Sequence, residues 1–203
     1  MYEQLASLRD LRHIRKMMEQ SSRFLGLSGY SGLAAGCIAL AGAWLASQSM
    51  QAYTRYRTTS LAELKEQLLL YASVVLFSAV VVSFIFTYLQ SRKAGVALLG
   101  SSGRRLLSGL GIPFAVGGIL CLRLLQLDQF SLLVPVCLLC YGLALVNASK
   151  YTLPEIGYLG LCELILGLLS LWYPARGLQF WAAGFGVLHI LYGCVMWWRH
   201  DRP

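Results

Sequence analysis

Two ionisable side chains stand out because each lies inside an apolar run and is flanked by glycines at the same offsets. Glu163 lies in GLCELILG (160–167) and His189 in GVLHILYG (186–193). Offsets of three, four and seven residues put the ionisable group and both glycines on one face of a helix. A carboxyl group and an imidazole can each bind or release a proton, and ionisable groups inside a membrane mark function by default. The pattern therefore indicates a ligand or proton site.

The carboxyl group and the imidazole are predicted to meet. The turn between their runs centres near residue 175, so Glu163 lies 12 residues before it and His189 lies 14 residues after it. At about 1.5 Å per residue, their depths differ by roughly 3 Å. Because small residues let membrane helices approach closely, an antiparallel pair with its glycine faces in contact would bring the two groups together. The glycines expected at helix contacts are Gly160, Gly167, Gly186 and Gly193, with Gly32 and Gly36 of the GLAAG pattern, which also favours a homo-oligomer.

Six apolar runs must carry these side chains, and each is long enough to cross a bilayer. Of 203 residues, 57% are hydrophobic and 13% are charged, about half the roughly 25% that is charged in a soluble domain. Because a bilayer offers no water to backbone groups, each run is expected to be a helix. The predicted fold class is all-α, a polytopic membrane bundle of six transmembrane helices. The spans are expected at about 25–47, 67–89, 106–127, 130–147, 156–173 and 178–198.

The positive charges predict the orientation of this bundle. Twelve of the 17 Lys and Arg residues fall on one predicted side, so both termini are expected in the cytoplasm of a multi-pass protein of the inner (plasma) membrane. Residues 1–24 are expected as a basic amphipathic helix on the cytoplasmic membrane surface, followed by the transmembrane domain at 25–203. The net charge of +8 is explained by this bias and by attraction to anionic lipid. Membrane lipid is therefore the expected partner, and nucleic acid is not.

Three polar residues near span ends are further candidates for a ligand or proton site. Asn147 and Lys150 lie at the inner end of the fourth span, where they suit a gate or an inner mouth. Arg123 lies about a turn from the outer end of the third span, where it can snorkel outward or meet Asp128.

The segment between the first two spans, 48–66, is expected as the longest outer loop. Within it Ser60 is followed three residues later by Glu63, which is a capping box. The second helix is therefore expected to begin outside the membrane.

The cysteines are expected to be buried apolar thiols. All six, at positions 37, 121, 137, 140, 162 and 194, lie inside predicted spans, so a disulfide framework is not indicated. A hydrolytic metal site needs three protein ligands. The spans offer Glu163, His189, Cys162 and Cys194 for such a site, and we expect no metal and no cofactor.

Three stretches of the sequence carry a resemblance to known proteins. They are YGLALVNASKYTLPEIGYLGLCELILGL, FWAAGFGVLHILYGCVMWW and SSRFLGLSGYSGLAAG, with distinctive residues at Asn147, Ser149, Lys150, Glu163, His189 and Gly193. Together they resemble a family of small six-span bacterial inner-membrane proteins with no assigned activity, and the resemblance covers most of the chain. It implies location and topology but no mechanism.

Two classes of function stay open. The first is a small transporter or channel-like carrier of a small molecule or ion, in which the Glu163–His189 pair is proton-linked. The second is a non-catalytic membrane sensor or scaffold, in which the pair is a structural lock and the basic N-terminal helix signals. A membrane-embedded enzyme is not expected, because the spans offer few ligands or catalytic groups.

Overall fold

The computed structural model of the chain describes residues 27–56, 60–93, 95 and 100–201, and every regular element in this part is helical. The α-helices are α1 (Gly29–Tyr56), α2 (Leu61–Lys93), α3 (Ser101–Gln126), α4 (Leu133–Ala148), α5 (Glu155–Trp172), α6 (Gly177–Trp181) and α7 (His189–Met196). A π-helical segment, Ala182–Leu188, joins α6 to α7 without a break. The basic helix expected over 1–24 lies outside the described residues.

Six helical stretches in the described part are long and apolar enough to cross a bilayer. They are Gly29–Tyr56, Leu61–Lys93, Ser102–Gln126, Phe130–Tyr151, Glu155–Trp172 and Pro174–His200, the last of which is called the sixth span below. Large apolar side chains cover the outside of the bundle; Phe77 of α2, for example, is 73% exposed. Such a continuous apolar surface is suited to contact with lipid hydrocarbon. The predicted six-helix class is confirmed, and the chain is a multi-pass membrane protein.

The first two spans extend further than predicted. α1 continues to Tyr56 and α2 begins at Leu61, so most of the loop expected at 48–66 is helical. The prediction was wrong here because it ended the first helix where polar residues begin, whereas a helix can continue beyond the hydrocarbon. The predicted capping box is confirmed. The backbone N–H of Ser60 donates to the Glu63 carboxylate at 2.9 Å, and the backbone N–H of Glu63 donates to the Ser60 hydroxyl at 3.2 Å.

The sixth span occupies the centre of the packing. It contacts α1 on one side and α4 and α5 on the other, while α2 packs on α1 and α3 packs on α4. The predicted tight hairpin between α3 and α4 is confirmed, with Asp128 at φ 57° in the turn. This is a left-handed conformation, which Asp tolerates better than most residues. The sixth span therefore lies between α1 on one side of the bundle and α4 and α5 on the other.

Glycines permit the closest helix contacts. A Cβ atom on Gly193 would lie 2.6 Å from the backbone nitrogen of Leu33 in α1. Between α4 and α5, a Cβ atom on Gly160 would lie 2.8 Å from the carbonyl oxygen of Gly142. Since real Cβ atoms do not approach backbone atoms this closely, both contacts require glycine.

The glycine faces of the fifth and sixth spans do not meet, contrary to prediction. Gly160 and Gly167 pack against α4, whereas Gly186 and Gly193 pack against α1. The spacing placed these glycines correctly on helix faces but carried no information about which neighbour each face would contact. The GLAAG glycines of α1 contact the sixth span of the same chain. All six glycines expected at helix contacts lie at them: Gly32, Gly36, Gly160, Gly167, Gly186 and Gly193.

Candidate functional site

His189 is held at the junction between the π-helical segment and α7. Its Nδ1 lies 3.0 Å from the carbonyl oxygen of Gly184, five residues earlier in the same span. Its Nε2 lies 2.6 Å from the hydroxyl of Tyr141 in α4. Because a carbonyl oxygen only accepts, Nδ1–H donates to Gly184, and in the neutral ring Nε2 accepts the Tyr141 O–H. The imidazole is therefore fixed at both nitrogens, and the residue is only 7% exposed.

Glu163 lies beside this imidazole, in the middle of α5. Its Oε1 is 3.5 Å from Nδ1 of His189, so the structure brings the two predicted residues together. The carboxyl group and the imidazole are within ion-pair distance, but no hydrogen bond joins them. The residue is 0% exposed, and within the described part of the chain neither carboxylate oxygen has a hydrogen-bond partner. Such a group is rare, because buried polar atoms are almost always paired.

Gly184 makes room for the carboxyl group. A Cβ atom there would lie 2.5 Å from Oε2 of Glu163 and 2.6 Å from a methyl group of Leu138. The same glycine supplies the carbonyl that accepts from His189, and it lies within the π-helical segment. Segments of this kind occur frequently at functional sites. The sequence pattern emphasised Gly186 and Gly193 and did not single out Gly184.

Aromatic rings pack beside His189 and its partner Tyr141. Phe185 lies 5.2 Å from the Tyr141 ring and 6.1 Å from the His189 ring, measured between centroids. Phe114 of α3 meets Tyr141 edge to face at 5.6 Å. Tyr141 is the site residue that sequence reasoning missed. Its signal was weak, since a tyrosine within an apolar run is also typical of ordinary packing.

The other predicted polar residues lie elsewhere in the bundle. The side-chain amide of Asn147 donates to the carbonyl oxygen of Gly109 at 3.0 Å, which joins α4 to α3. Lys150 donates to the Asn147 side-chain oxygen at 3.3 Å. The first contact joins two helices and the second is local to the end of α4, and neither includes Glu163 or His189.

Arg123 also stays apart from the pair. It is exposed and donates to the side-chain oxygen of Gln126 at 3.1 Å, which agrees with the outward direction considered for it. The alternative contact with Asp128 is wrong, because Asp128 pairs with Lys65 of α2 at 2.9 Å.

The cysteines are less buried than expected. Cys37, Cys162 and Cys194 are exposed on the bundle surface, and the other three are partly exposed. The expectation failed because a lipid-facing position is as apolar as the interior, so burial is not needed to shelter a thiol. Among the described residues, no three His, Cys, Asp or Glu side chains are grouped so that they could hold a metal ion.

The chain was compared with protein families, curated proteins and solved structures. No family, curated sequence or solved structure matches it. Its functional interpretation therefore depends on the geometry of its own residues.

Proposed function

We propose that this chain is a small transporter or channel-like carrier in the inner (plasma) membrane of a bacterium, and that Glu163 and His189 link its transport to protons. One observation carries the proposal. In the middle of a membrane span, both oxygens of a fully buried carboxyl group lack a hydrogen-bond partner within the described residues. Leaving a buried polar group unpaired costs about 1–3 kcal/mol. A structural lock would gain its stability from the hydrogen bonds that this group does not make.

The neighbours of Glu163 form a short chain along which a proton can move. Nδ1 of His189, whose proton is donated to the Gly184 carbonyl, lies 3.5 Å from Oε1 of Glu163, and Nε2 lies 2.6 Å from the Tyr141 hydroxyl. When the site opens to water, Nδ1–H turns from Gly184 to Oε1 and passes its proton to Glu163, Tyr141 passes its proton to Nε2, and water reprotonates the Tyr141 oxygen, so that one proton moves from water to Glu163. The reverse transfers would return it. The three residues thus support proton exchange.

A fully buried carboxyl group must gain access to water if it is to exchange protons across the membrane. The π-helical segment Ala182–Leu188 borders the carboxyl group through Gly184. π-Helical segments occur frequently at functional sites, and this one is the irregular part of the span nearest the carboxyl group. We therefore assign the opening movement to this segment of the sixth span.

The test measures proton movement through the purified protein in lipid vesicles. A potassium diffusion potential drives protons inward, and a pH-sensitive dye trapped inside reports their arrival. Vesicles with the wild-type protein are expected to acidify faster than empty vesicles, and Glu163→Gln is expected to abolish the difference. Glu155→Gln is the matched control, because Glu155 is a buried carboxylate on the same helix that pairs with Arg199 at 2.9 Å.

Proton binding is measured separately, because a strictly coupled carrier conducts no protons without its substrate. Infrared difference spectra between acidic and alkaline buffers are expected to contain the carbonyl band of a protonated carboxyl group. One component of this absorption should disappear in Glu163→Gln and persist in Glu155→Gln, while the other seven Asp and Glu side chains contribute equally to both spectra. If Glu163→Gln changes neither the spectra nor the flux, the proton linkage is wrong, and the alternative of a structural lock in a non-catalytic membrane sensor or scaffold is favoured.

A further inference from the structure

A second group of reactive side chains lies between α3 and α4. The Sγ atoms of Cys121 and Cys137 are 3.5 Å apart, close enough for an S–H···S hydrogen bond. The two helices approach closely because Gly117 has no side chain; a Cβ atom there would lie 2.6 Å from the Cβ of Cys140. The short turn between the helices holds the two sulfur atoms in register.

The two sulfur atoms need little movement to become bonded. A disulfide has an S–S distance of about 2.05 Å, so closure requires the two sulfur atoms to approach each other by about 1.5 Å. Both cysteines are free and partly exposed. Since both lie inside membrane spans, an oxidant must reach them through the hydrocarbon.

We propose that Cys121 and Cys137 form a redox-active dithiol that a lipid-soluble quinone oxidises to a disulfide. Two S–H bonds break and one S–S bond forms, while two electrons and two protons pass to the quinone and convert it to the quinol. Phe114 lies seven residues before Cys121, on the same face of α3, and is 43% exposed. Its ring lies about 10 Å from Cys121 along the helix axis, so it offers a planar quinone a surface along its approach and is not the position at which the quinone reacts with the sulfur atoms. This reaction is independent of the proton linkage assigned to Glu163.

The experiment uses the purified full-length chain in lipid nanodiscs. The protein is reduced with a phosphine, freed of reductant and mixed with decylubiquinone in the absence of oxygen, and quinol formation is followed by ultraviolet absorbance. The protein is then denatured, its free thiols are alkylated, and it is digested with trypsin. Arg123 is the single Lys or Arg between the two cysteines. Trypsin therefore separates them unless a disulfide joins fragment 106–123 to fragment 124–150.

The wild-type protein is expected to form one quinol per chain and to yield the joined fragments, with two of its six thiols protected from alkylation. Cys121→Ser and Cys137→Ser should each abolish both signals. Cys140→Ser, one turn from Cys137, and Cys162→Ser, on the bundle surface, should retain both. Tandem mass spectrometry of the wild-type fragments identifies the joined cysteines even if a variant fails to fold. Absence of the linkage in the wild type, or its loss in Cys140→Ser, would overturn the proposal.

Discussion

Replacing Glu163 by methionine is expected to make the protein more stable, although it removes the residue assigned to proton linkage. Both carboxylate oxygens are buried and lack partners within the described residues, which costs about 1–3 kcal/mol. Methionine has a similar length, and its flexible thioether fills irregular spaces. His189 keeps its hydrogen bonds to Gly184 and Tyr141 after the change, so no new polar atom is left unpaired.

The gain in stability from Glu163→Met is reduced by the loss of the attraction between Glu163 and His189, which lie 3.5 Å apart. In the neutral tautomer the imidazole has no net charge, and its Nδ1–H already donates to Gly184. Interhelical polar contacts in membranes contribute only about 0.6 kcal/mol on average. The net gain is therefore about 1–2 kcal/mol, which corresponds to a rise in Tm of about 2–8 °C for a chain of this length.

The assay is thermal denaturation in one detergent, followed by the fluorescence of the five tryptophans. Leu159→Met is the matched control, because Leu159 is buried one turn earlier on the same helix. It reports the cost of introducing methionine into this packing, which is expected to be below about 1.5 kcal/mol. If Glu163→Met melts below this control, the carboxyl group is held by stabilising contacts and the reasoning is refuted.

Three further contacts can be tested in the same melting assay. Tyr141→Phe removes the hydroxyl that donates to Nε2 of His189 and is expected to cost about 1–3 kcal/mol; an unchanged Tm would show that this hydrogen bond is dispensable. Gly193→Ala places a Cβ atom 2.6 Å from the backbone of α1 and is expected to cost about 1–3 kcal/mol. Its control, Gly118→Ala, meets nothing within 4 Å and is expected to be neutral or to stabilise by up to about 1 kcal/mol, so equal Tm values would contradict the packing. Asp128→Val puts a β-branched residue at φ 57° and is expected to cost about 1–3 kcal/mol, whereas Asp128→Asn tolerates that φ and is expected to lose less than about 1 kcal/mol.

Depth within the membrane was predictable from the sequence, whereas the choice of neighbour was not. Glu163 and His189 could be assigned a similar depth because each is counted along a regular helix from the same turn. The capping box of Ser60 and Glu63 was predictable because its contacts are local. The partners of the glycine faces depend on how each helix is rotated in the bundle. A single sequence contains no direct signal for that rotation, so Gly160 was assigned to the wrong neighbour.

Tyr141 could not be predicted for a related reason. Its hydroxyl is polar, but its position in an apolar run gives no indication of which helix lies opposite. Tyr141 joins the site only when α4 packs against the sixth span, which brings its hydroxyl within 2.6 Å of Nε2 of His189. The approach of Cys121 to Cys137 could not be predicted either, since it depends on the register of the α3–α4 hairpin.

The sixth span explains how a buried carboxyl group can be linked to the rest of the bundle. Within three residues it turns Gly184 towards Glu163 of α5 and Gly186 towards Leu40 of α1. A Cβ atom at either glycine would clash with the neighbour it faces, so both neighbouring helices pack directly on the backbone of the π-helical segment. Close-packed interiors change between discrete arrangements rather than deforming gradually. The proposed function therefore predicts that a change in the protonation of Glu163 alters the packing of this segment against α1. In the proposed function, this segment both senses the proton and moves the helix, which is the coupling that a proton-linked carrier requires.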